Sequence, residues 1–380
     1  MPEWTTACPD WAERLRDGRS IIPPPIFPAE AEANLNVMRD LRIVDAPGSP
    51  RMEDSCGQWL FDLAASIFGA YDASTGRRLI KEWFVMLPKK NFKSGFAASV
   101  MLTLLIRNWR KSAEFTILAP TKEVADNSFS PAKDMVQFLE EDEDGEPYSE
   151  LADLVHVQDS QRVLTHKSKG AKLKVIAADT NTAAGKKSVV LLVEELWLFG
   201  KNPKAKDLFR EAAGGLASRP EGFTLYITTQ SDEPPAGVFK EKLEYARKVR
   251  DGEIIDPQFV PVLYEHPPEM VKSGDCLLLE NMPMVNPNYG RSVDEEFLTR
   301  EHRKAEAEGK DSLKGFLAKH ANVEVGLNLR SDRWAGADFW EAAAIPVFSL
   351  EELLQRCEVV EVGIDAVSYT HLTLPTNREV

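Results

Sequence analysis

The chain has few of the features that tie a protein to a membrane or to an oxidising compartment. Its 380 residues include four cysteines (Cys8, Cys56, Cys276 and Cys357), far apart and without a CxxC pair. That spacing fits free thiols in a reducing cytosol and argues against a zinc site. No apolar run approaches the roughly 18 residues that a membrane-spanning helix needs. The start, MPEWTTACPDWAERLRDG, lacks a basic stretch followed by an apolar core, so no secretory signal is expected. Serine and cysteine hydrolase signatures are missing too: no GxSxG occurs, and the six histidines stand isolated, which suits structural better than catalytic roles. An excess of positive charge is also lacking. The formal charge of −14 counts against a nucleic-acid partner for the molecule taken whole.

What is present is uneven. Lysines gather in THKSKGAKLK (165–174), GKK (185–187) and KNPKAK (201–206), and acid gathers in EEDEDGE (140–146). Grouped lysines can meet phosphates even on an acidic protein, and can equally be a solvated face. The 43 % hydrophobic and 28 % charged content is that of a globular chain, long enough for about two domains.

The pattern along the chain sets the fold class. IIPPPIFP (21–28) is too proline-rich for regular structure and reads as an extended arm within residues 1–40. AEAEANLNVMRDLRI and GQWLFDLAASIFGAYD carry apolar residues at helical spacing. From WFVML (83–87) onward, short apolar runs alternate with helical segments: FTILAP, VLTHKSK, LKVIAA, VVLLVEELWLF and FTLYITTQ. Strands interleaved with helices imply right-handed crossovers and an α/β domain, with a mainly parallel sheet covered on both faces. This domain is expected over 41–233. From Pro234 the chain turns helical and charged, which predicts a helical linker subdomain over 234–350. EVVEVGIDA (358–366) starts a further strand.

Parallel sheets bind ligands at the carboxyl ends of their strands, and the polar motifs fall there. Lys-Ser occurs five times, but only Lys93–Ser94, in LPKKNFKSGF (87–96), follows a strand and opens a helix. A phosphate loop needs that context: free N–H groups at a helix start, a lysine for the β/γ-phosphates and a hydroxyl for Mg²⁺. Leu87 and Phe92 stand where such loops carry glycine, so the same residues also suit a basic turn. VVLLVEELWLFG (189–200) runs into Glu194 and Glu195, a metal-shell and a water-polarising carboxylate or a solvated acidic turn. LYITTQ ends in Thr228, Thr229 and Gln230, which can sense a γ-phosphate or cap a turn. Gln58 has the donor and acceptor that match an adenine edge, and also suits a helix surface.

LPKKNFKSGF resembles the deviant Walker A of tailed-phage large terminase subunits, in which a basic residue and Asn precede Gly-Lys-Ser/Thr. QWLFDLAASIFGAYDASTGRRLIKEWFVMLPKK, ILAPTKEVA, AADTNTAAGKKSVVLLVEELWLF, LYITTQ and MVNPNYG match that family in type and order, over about residues 40–366. The resemblance implies a P-loop NTPase-like domain that hydrolyses ATP with Mg²⁺, followed by an RNase H-like nuclease. Within the loop from Pro88 through Asn91 and Phe92 to Gly95, Lys93 and Ser94 would hold phosphate and Mg²⁺. Lys89 or Lys90 would help neutralise the γ-phosphate. Glu194 would take the metal shell, Glu195 catalysis, Thr228–Gln230 coupling and Gln58 adenine. Glycine is expected at Phe92 and aspartate at Glu194, and the chain departs from the family at both. Asp365 would be the first metal-binding acid of a nuclease domain begun at 351–366, with 367–380 read as a non-native tail and the nuclease incomplete. Implied partners are double-stranded DNA, a portal protein, a small terminase subunit and further copies in a ring, at the procapsid in the host cytoplasm. The rival readings are a non-catalytic DNA- or portal-binding module with a decayed nucleotide site, and another helicase-like ATPase.

Overall fold

The computed structural model describes residues 4–141, 147–178, 188–325 and 349–356. The chain divides into two units, Met1–Asp332 and Arg333–Val380. In the second, the described part is a single helix, Leu350–Arg356. EVVEVGIDA, Asp365 and the 367–380 tail lie outside the described residues.

The first unit is built on an eight-stranded sheet. In chain order its elements are α1 (Pro28–Asp40), α2 (Gln58–Phe68), β1 (Glu82–Met86), α3 (Lys93–Arg107), β2 (Glu114–Ala119) and α4 (Lys122–Gln137). Then come β3 (Val155–Gln158), β4 (Val163–His166), β5 (Lys172–Ala177), β6 (Ser188–Glu194), α5 (Ala205–Gly214) and β7 (Phe223–Thr228). α6 (Gly237–Arg250), β8 (Phe259–Leu263), α7 (Glu295–Glu308) and α8 (Lys310–Ala321) follow. The strand order is β8-β1-β7-β6-β2-β5-β4-β3. The strands from β8 to β5 are parallel, and β4 and β3 complete one edge antiparallel.

Alternation along the strands sorts the side chains onto two faces. Trp83 and Val85 of β1, with Leu225 and Ile227 of β7, join the larger core under α2 and α3. Phe84, Met86 and Tyr226 join a smaller core with α6. Burial on both faces is why β6 and β7 read as unbroken apolar runs: every residue of each is buried.

Two expectations are corrected. Residues 234–263 are not a helical linker: α6 covers the sheet, and β8 pairs with β1, Val260 opposite Trp83 and Leu263 opposite Met86. Pro261 disguises this strand in the sequence, and an edge position tolerates its missing N–H. The helical part comes later, with its own core of Met282, Val285, Leu298, Phe316 and Leu317. Residues 1–40, expected as a separate arm, pack on this domain as well, although 21–27 have no regular structure. Trp11, Leu15, Ile21 and Ile22 are buried in the main core, and the Trp11 ring lies under the Arg250 guanidinium at 3.8 Å.

Candidate nucleotide site at the carboxyl edge of the sheet

After β1 the chain turns sharply. Lys90 (φ 70°) and Phe92 (φ 55°) are both left-handed, and α3 starts at Lys93. Such conformations cost non-glycine residues about 1–3 kcal/mol each and persist only where the surroundings fix them. Asn91 does much of the fixing. It is fully buried, and its Nδ2 donates to Asn286 Oδ1 at 2.7 Å and to the Pro88 and Lys89 carbonyls at 3.3 Å. Its Oδ1 accepts from the Asn288 N–H at 3.1 Å, and the Ser292 hydroxyl donates to the Lys90 carbonyl. The Phe92 ring folds back over Gly95, where a Cβ would come within 2.3 Å of it. Glycine at 95 thus leaves room for the aromatic ring of residue 92.

No side chain caps α3, so its first N–H groups are free to meet an anion. Lys93 is buried, and its Nζ donates to the Pro88 (3.0 Å) and Leu87 (3.3 Å) carbonyls. Burial lowers its pKa to about 8, against the pull of the Glu195 and Glu194 carboxylates.

Glu194 is the last residue of β6, 4 % exposed. Ser128 of α4 links it to the loop, since its hydroxyl donates to Glu194 Oε1 and lies 3.4 Å from the Ser94 carbonyl. Glu194 Oε2 is buried without a hydrogen-bond partner. Burial pushes the Glu194 pKa up to about 8, with Ser128 and Lys93 opposing and Glu195 adding to the rise. Glu195 is left-handed (φ 46°), and its Oε2 accepts from the Trp197 indole N–H at 2.6 Å and the Thr229 hydroxyl at 3.4 Å.

The phosphate-loop strand and the acid strand are expected to be neighbours. They are not: β7 lies between β1 and β6, and places Thr228–Gln230 between the two groups. The ends still converge. Lys89, Lys90, Lys93, Ser94 and Glu195 line one cavity of about 810 Å³. Gln58 is not brought there. It is exposed, donates to Asp62 Oδ1 at 2.9 Å, and lines a separate cavity of about 1260 Å³ with Trp59 and Tyr264. Of the lysine clusters, 201–206 is partly neutralised, Lys201 by Glu233 and Lys206 by Glu241. In 165–174, Lys174 pairs with Glu114 at 2.6 Å. GKK (185–187) lies outside the described residues.

Ser128, Trp197, Asn286, Asn288, Lys319 and Asn322 were missed as site residues. The available signal was NPN in MVNPNYG, two buried amides in a loop packed on apolar helices.

No protein-family model matches the sequence, and no curated protein matches it. Among solved structures, the large terminase of bacteriophage HK97 is 19 % identical and superposes with a TM-score of 0.63, covering 78 % of this chain and 55 % of that one. The fold is that of a phage large terminase. At this identity the likeness is one of fold, and the chain spans about half the length of the HK97 protein. The large terminase ATPase domain of Thermus phage P74-26 is 14 % identical, with 65 % of this chain and 90 % of that domain covered. It superposes with a TM-score of 0.40. Within the terminase fold seen here, no helix among the described residues is long and apolar enough to cross a membrane.

Proposed function

We propose that this chain is the ATP-hydrolysing part of a phage DNA-packaging motor. The observation that carries the reading is the shared cavity: the phosphate-loop lysine Lys93, the helix-start hydroxyl of Ser94 and the carboxylate Glu195 open onto one space of about 810 Å³. In this reading the free N–H groups of α3 and the Lys93 ammonium hold the β- and γ-phosphates, and Lys89 and Lys90 add charge at the mouth. Glu195, oriented by Trp197 and Thr229, polarises the attacking water.

The residues fit Mg²⁺. Among the described residues no group of three or more His, Cys, Asp or Glu could hold a metal alone, and Mg²⁺ characteristically takes one or two protein oxygens plus substrate phosphates. The unpartnered Glu194 Oε2 and the Ser94 hydroxyl are such oxygens, on residues that Ser128 links through Glu194 Oε1 and the Ser94 carbonyl. When bound, the ion would neutralise charge developing on the phosphoryl oxygens.

Thr229 and Gln230 pass the change on phosphate release to the helical part, because Gln230 N–H donates to Asn322 Oδ1 at 3.0 Å and its carbonyl accepts from Lys319 at 3.2 Å. Double-stranded DNA would be moved through backbone contacts without sequence readout, by copies arranged in a ring with a portal and a small subunit.

Phosphate release by the purified chain, with Glu195→Ala as control, tests the reading. Mg²⁺-dependent release that the substitution lowers about a thousandfold is expected. No release above the variant's background would favour a non-hydrolysing binding module.

A further inference from the structure

Lys319 lies in the last turn of α8 in the helical part and is 8 % exposed. It touches three segments that border the candidate site. Its carbonyl accepts the Lys89 N–H of the phosphate loop at 2.6 Å. Its Nζ donates to the Gln230 carbonyl at 3.2 Å and pairs with Asp232 at 3.4 Å, at the end of β7. The same Nζ lies 3.3 Å from the centroid of the Trp197 ring. Trp197 in turn donates its indole N–H to Glu195 Oε2 at 2.6 Å, and its backbone N–H to Thr228 Oγ1 at 3.2 Å.

We propose that Lys319 is a positioning residue for Glu195, acting through the Trp197 indole, and that it makes the carboxylate's geometry conditional on the seating of the helical part. This rests on the ATP-hydrolysing reading above. The physical argument has two parts. A desolvated ammonium over an indole face is attracted to the ring and fixes its orientation. It also draws electron density from the ring, which strengthens the N–H as a donor to the carboxylate in a site poor in water. Because the same ammonium holds the Gln230 carbonyl, a shift of α8 relative to the strand ends would release Trp197 and Glu195 together. A change in nucleotide state would reach α8 by the same contacts in reverse, through Lys89 and Gln230.

The test is steady-state phosphate release by the full 380-residue chain across an ATP titration, with thermal melts, for the unsubstituted protein, Lys319→Met, Lys319→Arg, Trp197→Phe and the Lys319→Met/Trp197→Phe double variant. Phenylalanine keeps a ring under the ammonium and removes the N–H. Lys319→Met is expected to lower kcat about tenfold while the KM for ATP stays within about twofold. Arginine, which also stacks on aromatic faces, should recover most of the loss. Trp197→Phe should match the loss, and the double variant should be no slower than either single one, since both cut the same connection. Losses that multiply in the double variant overturn the proposal, as does an arginine variant as slow as methionine with an equal drop in melting temperature. An active parent whose Lys319→Met form is equally fast overturns the proposal alone. A parent with no release above the Glu195→Ala background overturns the hydrolysis reading and the proposal with it.

Discussion

The two flanks of the cavity hold their functional groups by different means. On the phosphate-loop flank, residues 87–95 include two left-handed residues, and their shape rests on the buried Asn91 and its partners Asn286 and Asn288, nearly two hundred residues away in sequence. On the acid flank, Glu194 is the last residue of a strand paired on both sides, so the sheet itself fixes its backbone. Polar satisfaction also differs. Both ends of the Asn91 amide are bonded, whereas Glu194 keeps one oxygen buried and bare. The loop is thus a satisfied polar network that depends on the helical part. The acid end is a rigid frame holding a carboxyl with one oxygen unpaired, and burial there favours its protonated form.

The comparison can be broken at four points. The largest effect is expected at the acid flank: Glu195→Gln should lower kcat by about a thousandfold with nucleotide affinity nearly unchanged, measured by phosphate release and by nucleotide titration. A loss of affinity instead would mean that the acid, not the loop, holds the phosphates.

Next is pH. In metal-free buffer Glu194 has a folded pKa of about 8 against an ordinary 4.5, so the folded state binds more protons between these values and stability falls as pH rises through them. Lys93 works the other way: its pKa is lowered from 10.5 to about 8, so its burial costs least once pH exceeds 10.5. Glu194→Gln should therefore flatten the decline between pH 4.5 and 8, by about 5 kcal/mol in denaturant unfolding. A parallel decline in the variant would place the cost elsewhere.

On the loop flank, Asn286→Ala should cost about 2 kcal/mol of stability by removing the shortest hydrogen bond of the buried Asn91 amide, and should raise the KM for ATP more than it lowers kcat. Equal effects on both would argue that the helical part does more than shape the loop. The smallest effect concerns Gly95. Gly95→Ala should cost about 1 kcal/mol, because its Cβ meets the Phe92 ring, and the Phe92→Gly/Gly95→Ala double variant should recover stability and nucleotide binding. A double variant no better than the single one would show that the two positions are independent.

Much of the frame was readable from the residues in order. The strand ends that bear Lys93, Glu194 and Thr228 follow apolar runs whose composition announces strands buried on both faces. A helix start after β1 and a mainly parallel sheet follow from period and spacing. Gln58 lines a different cavity from Lys93, which its sequence context could not show, because a helix-start glutamine looks the same whichever cavity its helix borders. β8 was missed because Pro261 is a local signal against strand, overruled by an edge position that only the sheet defines.

The sequence alone determined which groups stand at the ends of which strands, because periodicity and burial act over a few neighbouring residues. It could not determine that β7 enters between β1 and β6, that Asn286 closes on Asn91, or that Lys319 settles over Trp197. Those contacts join segments far apart along the chain and leave no local period. Only packing, which forces each buried polar group to find a partner, decides them.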